Sequence, residues 1–251
     1  MKIDKFYWSR YQCSFGDSKG MVDIQHRNKG WLATFLKKNA SILLVNKLEV
    51  SESDAVMPDW IRTEVQNLRI ICDFSMFERI ARHVVVNDPE EKPLDSVLVS
   101  AYSGLDWIQY PLVRTARHLD IQFHYKPQNS TDSLVDLFNP SIFVRFTTHQ
   151  ITNRDFAFLV HHWLIRPRNH GTSLCITKRF TRRLIRILEM RHIVLHGYNE
   201  VTHGREVVRR PCIFIPVTDD SYLKIWGYRH RLGSNKKRIT AMQMIKDVVY
   251  P

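Results

Sequence analysis

Ile142-Phe143-Val144-Arg145-Phe146, then Thr152-Asn153-Arg154-Asp155-Phe156-Ala157-Phe158-Leu159-Val160-His161-His162-Trp163-Leu164-Ile165, then Leu174-Cys175-Ile176-Thr177, reads as strand, helix, strand. The outer pieces alternate, or nearly alternate, apolar and polar residues, the period of a half-buried strand. In the middle piece Phe156, Leu159, Val160, Trp163 and Leu164 recur at three-and-four spacing and share one side of a helix. Thr152 followed three residues later by Asp155 approximates a capping box, which satisfies the first free amides. A strand, a crossover and a second strand favour parallel pairing, because the link is too long for a hairpin.

The same signal recurs toward the N-terminus. Lys47–Val50, Leu68–Ile71, Val97–Ser100 and Leu119–Phe123 all read as short strands. From Leu48 through Leu68, Val97, Leu119 and Ile142 to Leu174 the steps are 20, 29, 22, 23 and 32 residues, mostly near the period of leucine-rich solenoids. Segments Met76–Val84 and Tyr102–His118 are helical candidates, and Pro111 interrupts the second by removing an amide donor. A further helix spans Arg179–Glu189, with Phe180, Leu184, Ile187 and Leu188 on one side and Arg179, Arg182, Arg183 and Arg186 on the other. After His196 longer extended segments follow, Cys212–Val217, Tyr222–Tyr228 and Ile239–Tyr250, with a turn at Leu232-Gly233-Ser234-Asn235. The expected fold class is α/β: an open, solenoid-like, leucine-rich-repeat-like stack of strand-helix units closed by a C-terminal antiparallel segment. The expected organisation is strand-helix repeats over 1–125, a second domain over 126–198 and a β-rich extension over 199–251.

Composition excludes several classes. The 251 residues are 44% hydrophobic and 11% aromatic, which argues against disorder and low-complexity scaffolds. No apolar run approaches the ~20 residues that span a bilayer, and the N-terminus lacks a signal-peptide pattern, so no membrane partner is expected. Cys13, Cys72, Cys175 and Cys212 form no CxxC pair, which gives no support to a disulfide framework or a cysteine-based zinc site and places the chain in a reducing, intracellular compartment, cytoplasmic or nuclear.

The net charge of +12 is lopsided: residues 1–125 hold 16 basic and 16 acidic side chains, residues 126–251 hold 21 and 9. The densest run is Arg166–Arg191, where eight basic residues accompany only Glu189. Such a field attracts nucleic acid, acidic peptide or anionic lipid without choosing among them.

Catalytic motifs are missing. Gly16-Asp17-Ser18-Lys19-Gly20 looks superficially like a serine protease nucleophile sequence, yet it lies too early for the partner residues to precede it. A glycine-flanked loop is the better reading. His192 and His196 have helical four-residue spacing, but no Glu completes an HExxH arrangement, and His161 and His162 fit a solvated helix face. No Walker loop, GxGxxG turn or Ser-x-x-Lys pair occurs. The expectation is a non-enzyme with no catalytic residues, no metal and no cofactor.

The order Ser133–Phe146, Gln150–Ile165 and Leu174-Cys175-Ile176 resembles the type 2 F-box-associated domain, a family expanded in roundworms. Asp155 and Trp163 are the matched anchors, with Phe156, Leu159 and Leu174 as the other structural positions of the motif; Phe156 and Ala157 depart from the family's usual leucine and asparagine. The resemblance covers about seventy residues and implies a partner-recognition domain that selects substrates for a cullin-type ubiquitin ligase. Family members usually carry an F-box that docks on a Skp-type linker, but residues 1–46 show no Leu-Pro entry with helical spacing. Ligase attachment therefore requires an F-box upstream.

Strand alternation gives that reading a surface. With Leu119, Ile121 and Phe123 inward, Asp120, Gln122 and His124 face out; with Ile142, Val144 and Phe146 inward, Phe143 and Arg145 face out. Stacked strands then present a ladder of Glu49, Arg69, Leu98, Asp120, Gln122, Phe143, Arg145 and Thr177 for an unidentified protein target. The alternative is nucleic-acid binding through Arg179, Arg182, Arg183 and Arg186, which no recognised nucleic-acid module accompanies.

Overall fold

The computed structural model of the chain describes residues 2–8, 12–17, 20–25, 34, 42–51, 61–72, 74–84, 92–101, 106–124, 130–147, 151–203, 206–232 and 235–246. It forms two compact units, Met1–Pro127 and Gln128–Pro251. Each is mixed α/β and built on open β-sheet.

The first unit contains β1 (Lys2–Trp8), β2 (Gln12–Asp17), β3 (Gly20–Gln25), β4 (Leu43–Ser51), β5 (Thr63–Cys72), α1 (Phe74–His83), β6 (Ser96–Ala101), a 3-10 turn (Asp106–Gln109), α2 (Pro111–Arg114) and β7 (His118–Phe123). Strand order is β7-β6-β5-β4-β1-β2-β3. From β4 to β7 each strand lies parallel to the next in sequence, the stacked pattern the spacing predicts. Register aligns the core in rows: Phe6, Leu48, Leu68, Val97 and Leu119 face one another across five strands, each no more than 1% exposed. A row of this kind fits strands buried on one face and stacked without offset.

The N-terminal strands were not legible as repeats. β1 pairs parallel with β4, while β2 and β3 pair antiparallel beyond it. Gly16 and Gly20 flank the link from β2 to β3, and Asp17 pairs with Gly20; Ser18 and Lys19 lie outside the described residues. Of the helix expected over Tyr102–His118, residues 102–105 lie outside the described residues, and the rest holds the 3-10 turn and α2. Pro111 sits in the first turn of α2, where its missing N–H costs nothing, so it starts a helix as well as ending the turn before it.

The second unit contains α3 (Ser130–Val135), β8 (Ser141–Phe146), α4 (Asn153–Ile165), β9 (Ser173–Ile176), α5 (Arg182–Glu189), β10 (Leu195–His203), β11 (Glu206–Thr218), β12 (Ser221–Leu232) and β13 (Asn235–Lys246). Its order is β10-β11-β12-β13-β9-β8. β8 and β9 are parallel, and β10 to β13 form the expected antiparallel segment, joined to β9 through β13. The 198/199 division expected from the sequence falls within β10, and the extension belongs to the same compact unit as α4.

α4 begins where the sequence places it. The Thr152 amide donates to Asp155 Oδ2 at 2.9 Å and the Asp155 amide donates to Thr152 Oγ1 at 3.1 Å, a complete capping box. Buried Lys178 fixes the approach by donating to the Ile151 carbonyl at 2.8 Å. Phe156, Leu159 and Trp163 are each 0% exposed. α5, by contrast, starts at Arg182 rather than Arg179, because Thr181 accepts the Leu184 amide and caps the helix there. Arg179 and Phe180 therefore precede the helix.

Candidate interaction surface

The outward face of the first unit is an ordered polar ladder. Tyr7, Glu49, Arg69, Leu98 and Asp120 occupy one row across β1, β4, β5, β6 and β7. The next row holds Ser51, Ile71, Ser100 and Gln122. Several of these side chains are tied to their neighbours. Glu49 meets Lys47 and Arg69, each at 3.3 Å, and the Tyr7 and Ser51 hydroxyls lie 2.6 Å apart. At the neighbouring edge Ser96 donates to Asn67 Oδ1 at 2.6 Å, and Asn67 donates to Asn46 Oδ1 at 3.0 Å. Arg69 keeps its Nε buried and without a hydrogen-bond partner among the described residues, a donor that the fold itself does not use.

Asp120 and Gln122 thus stand where alternation places them, half-buried and in register with Leu98 and Ser100. Phe143 and Arg145 share the corresponding face of β8 in the second unit, with the Arg145 guanidinium 5.8 Å from the centre of the Phe143 ring. Thr177 does not belong to the exposed ladder. It is 4% exposed, and its hydroxyl accepts the Phe146 amide at 2.8 Å, satisfying a backbone donor just past the last paired residues of β8 and β9. Leu174 is core, as its strand position requires.

Ser100 and His124 escaped the sequence reading as a pair. Their Oγ and Nε2 lie 2.7 Å apart at the C-terminal ends of β6 and β7, a serine-imidazole contact of the kind nucleophilic sites use. Ser100 is only 3% exposed, however, so the bond acts as a tie between strands. Neither residue carries a motif, and only the parallel register brings them together.

The basic residues behave as a solvated face. Arg179, Arg182, Arg183 and Arg186 are all exposed, the last three on α5. His196 meets Glu189 at 2.9 Å, and the His161 ring stands 5.8 Å from that of His192. Among the described residues no group of three or more His, Cys, Asp or Glu could hold a metal ion, and no helix is long and apolar enough to cross a membrane.

The fold and surface define a class: a mixed α/β protein of stacked parallel strands, extended by antiparallel strands and carrying an ordered polar outer face. Residues 26–178, more than half of the chain, match the family described as Domain of unknown function (DUF3557), and the chain belongs to that family. The matched segment stops just after β9 and leaves out β10 to β13. No curated protein and no solved structure matches the chain.

Proposed function

We propose that the chain is a non-catalytic protein-interaction module that recognises a protein target through its outward strand faces. One observation carries this reading: five strands of the first unit stand in register, so that Tyr7, Glu49, Arg69, Leu98 and Asp120 form a continuous row across them. Solenoid-like stacks use such extended faces for binding, because stacked units present one continuous surface to a partner. The resemblance to type 2 F-box-associated domains supplies the role, substrate selection for a cullin-type ubiquitin ligase. Attachment to such a ligase runs through a helical F-box, and the described part of residues 1–25 consists of strands.

Affinity capture with wild-type chain, Phe143→Ala, Arg145→Glu and Asp120→Arg tests the reading. The expected result is loss of the same captured proteins in the face variants, with circular dichroism unchanged. An identical set of partners from all four proteins overturns it.

A second reading, nucleic-acid binding, is supported by the exposure of Arg182, Arg183 and Arg186 along α5. Gel shifts across a salt series decide it, since each phosphate neutralised on duplex DNA contributes about 0.9 to the log-log slope. No shift at low salt removes this reading.

A further inference from the structure

In the second unit the antiparallel strands separate along part of their length. β11 and β12 pair from Thr218 and Ser221 as far as Cys212 and Trp226, and there the shared ladder ends. Pro211, the next residue on β11, has no N–H to continue it. Both strands nevertheless keep their other neighbours: β11 stays with β10 as far as Glu206, and β12 stays with β13 as far as Leu232. Two hairpins therefore part company, and the backbone groups on their facing edges no longer pair with one another.

A cleft of ≈ 250 Å³ occupies this divergence. Its lining includes Arg179, Arg210, Arg229 and Arg238, together with Phe180 and Pro211. Phe180 packs directly against the backbone of Gly227, so closely that a Cβ there would lie 2.5 Å from the Phe180 Cβ. No acidic residue lines the cleft, and none of the four arginines has a hydrogen bond or ion pair among the described residues. Their neighbour Arg209 shows the contrast, donating to Glu200 at 2.8 Å. Four positive charges around one small space repel each other unless an anion joins them.

From this arrangement we infer that the cleft receives the phosphate of a phosphorylated side chain carried by an extended segment of a protein partner. A phosphomonoester brings about −1.5 to −2 charges and three acceptor oxygens to one point, which suits several guanidinium groups set around one cavity. Arginine forks match phosphate oxygens two at a time, and Phe180 supplies an apolar wall for the rest of the side chain. The facing edges of β11 and β12 add backbone donors and acceptors for an extended chain. A nucleic-acid strand distributes single charges along a track, whereas these arginines surround a single pocket. The choice of a protein as the source of the phosphate rests on the interaction-module reading; the anion site itself does not.

Fluorescence anisotropy on the full chain tests the inference, using labelled, end-capped pentapeptides with a central phosphotyrosine or phosphoserine. Their unphosphorylated forms, inorganic phosphate and a single-stranded 20-mer oligonucleotide serve as the other probes. The expected result is saturable binding of a phosphopeptide, weakened about tenfold or more, or about 1.4 kcal/mol, in Arg229→Ala/Arg238→Ala. Arg182→Ala/Arg186→Ala, on α5 and outside the cleft lining, should bind as the wild type does. Equal binding of phosphorylated and unphosphorylated peptides overturns the inference, as does binding unchanged in the cleft variant. Competition by inorganic phosphate at the phosphopeptide's own concentration reveals a small-anion site and removes the protein partner. Cleft-dependent binding of the oligonucleotide alone overturns it in favour of nucleic acid. A failed capture experiment on Phe143 and Arg145 leaves these measurements unaffected, so the two readings fail separately.

Discussion

The Arg168 guanidinium lies 3.6 Å from the centre of the Phe138 ring. Its other aromatic neighbour is Trp163, at 5.8 Å, and one Nη donates to the Val135 carbonyl at the end of α3. Nε and the second Nη are buried without partners among the described residues, and burial holds the group below its ordinary pKa while Asp136 pulls the other way. The residue thus acts as a packing piece between α3 and the base of α4, with its charge met by one carbonyl and two π faces. Arg168→Ala should cost about 2–3 kcal/mol in urea unfolding, through lost stem packing and cation–π contact. Arg168→Met keeps the stem and removes the desolvated charge, so it should cost less than about 1 kcal/mol. Equal losses in the two variants would show that the charge, not the packing, matters.

At the other end of α4, Thr152→Ala and Asp155→Ala each remove one of two reciprocal cap bonds. Each should lower stability by about 1 kcal/mol. The double variant should lose less than the sum, because the two bonds form one motif. Trp163→Ala, within the same helix, should cost ~3–5 kcal/mol, being fully buried. A Trp163 variant no weaker than the cap variants would contradict the burial of α4's apolar side.

The elements that could be read in advance share one property: their pattern is local. β4 to β9 alternate over four or more residues, and α4 carries both its cap and its apolar stripe within fourteen residues, Thr152–Ile165. β1 was hidden because its inward residues, Ile3 and Phe6, do not keep a strict two-residue spacing. Thr177 departs from simple alternation because its hydroxyl accepts the Phe146 amide, a need that the strand period does not encode. The arginine cleft lay beyond any such reading. Its charges come from positions 179, 210, 229 and 238, and only the parting of two hairpins brings them together.

Cys175 on β9 accompanies Tyr228 on β12, although β13 runs between those strands. Burial pushes the Cys175 thiol above its ordinary value, against a hydrogen bond with the Tyr228 hydroxyl that pulls it down. Burial likewise raises the Tyr228 phenol. Since the thiolate is the nucleophile, alkylation of Cys175 by iodoacetamide at pH 8 should be slower than that of free cysteine. Tyr228→Phe removes the stabilising bond and should slow it further. Peptide mapping by mass spectrometry reads both rates, and faster labelling of the native chain than of free cysteine would exclude this environment.

His192 follows α5 with its Nε2 buried and unpaired among the described residues. Burial comes first among the causes that lower its pKa below 6.5, followed by the charges of His161 and Arg191. The unfolded chain therefore binds the His192 proton more readily than the folded one. Stability must then decrease as the pH falls below about 6.5, because protonation favours the state with the higher pKa. Urea midpoints at pH 7.5 and 5.5 should fall more steeply for the wild type than for His192→Gln, which cannot take up the proton. His161→Gln should also flatten the slope, by removing the neighbour whose charge opposes that of His192. Parallel pH dependences in all three proteins would show that acid destabilisation arises elsewhere in the chain.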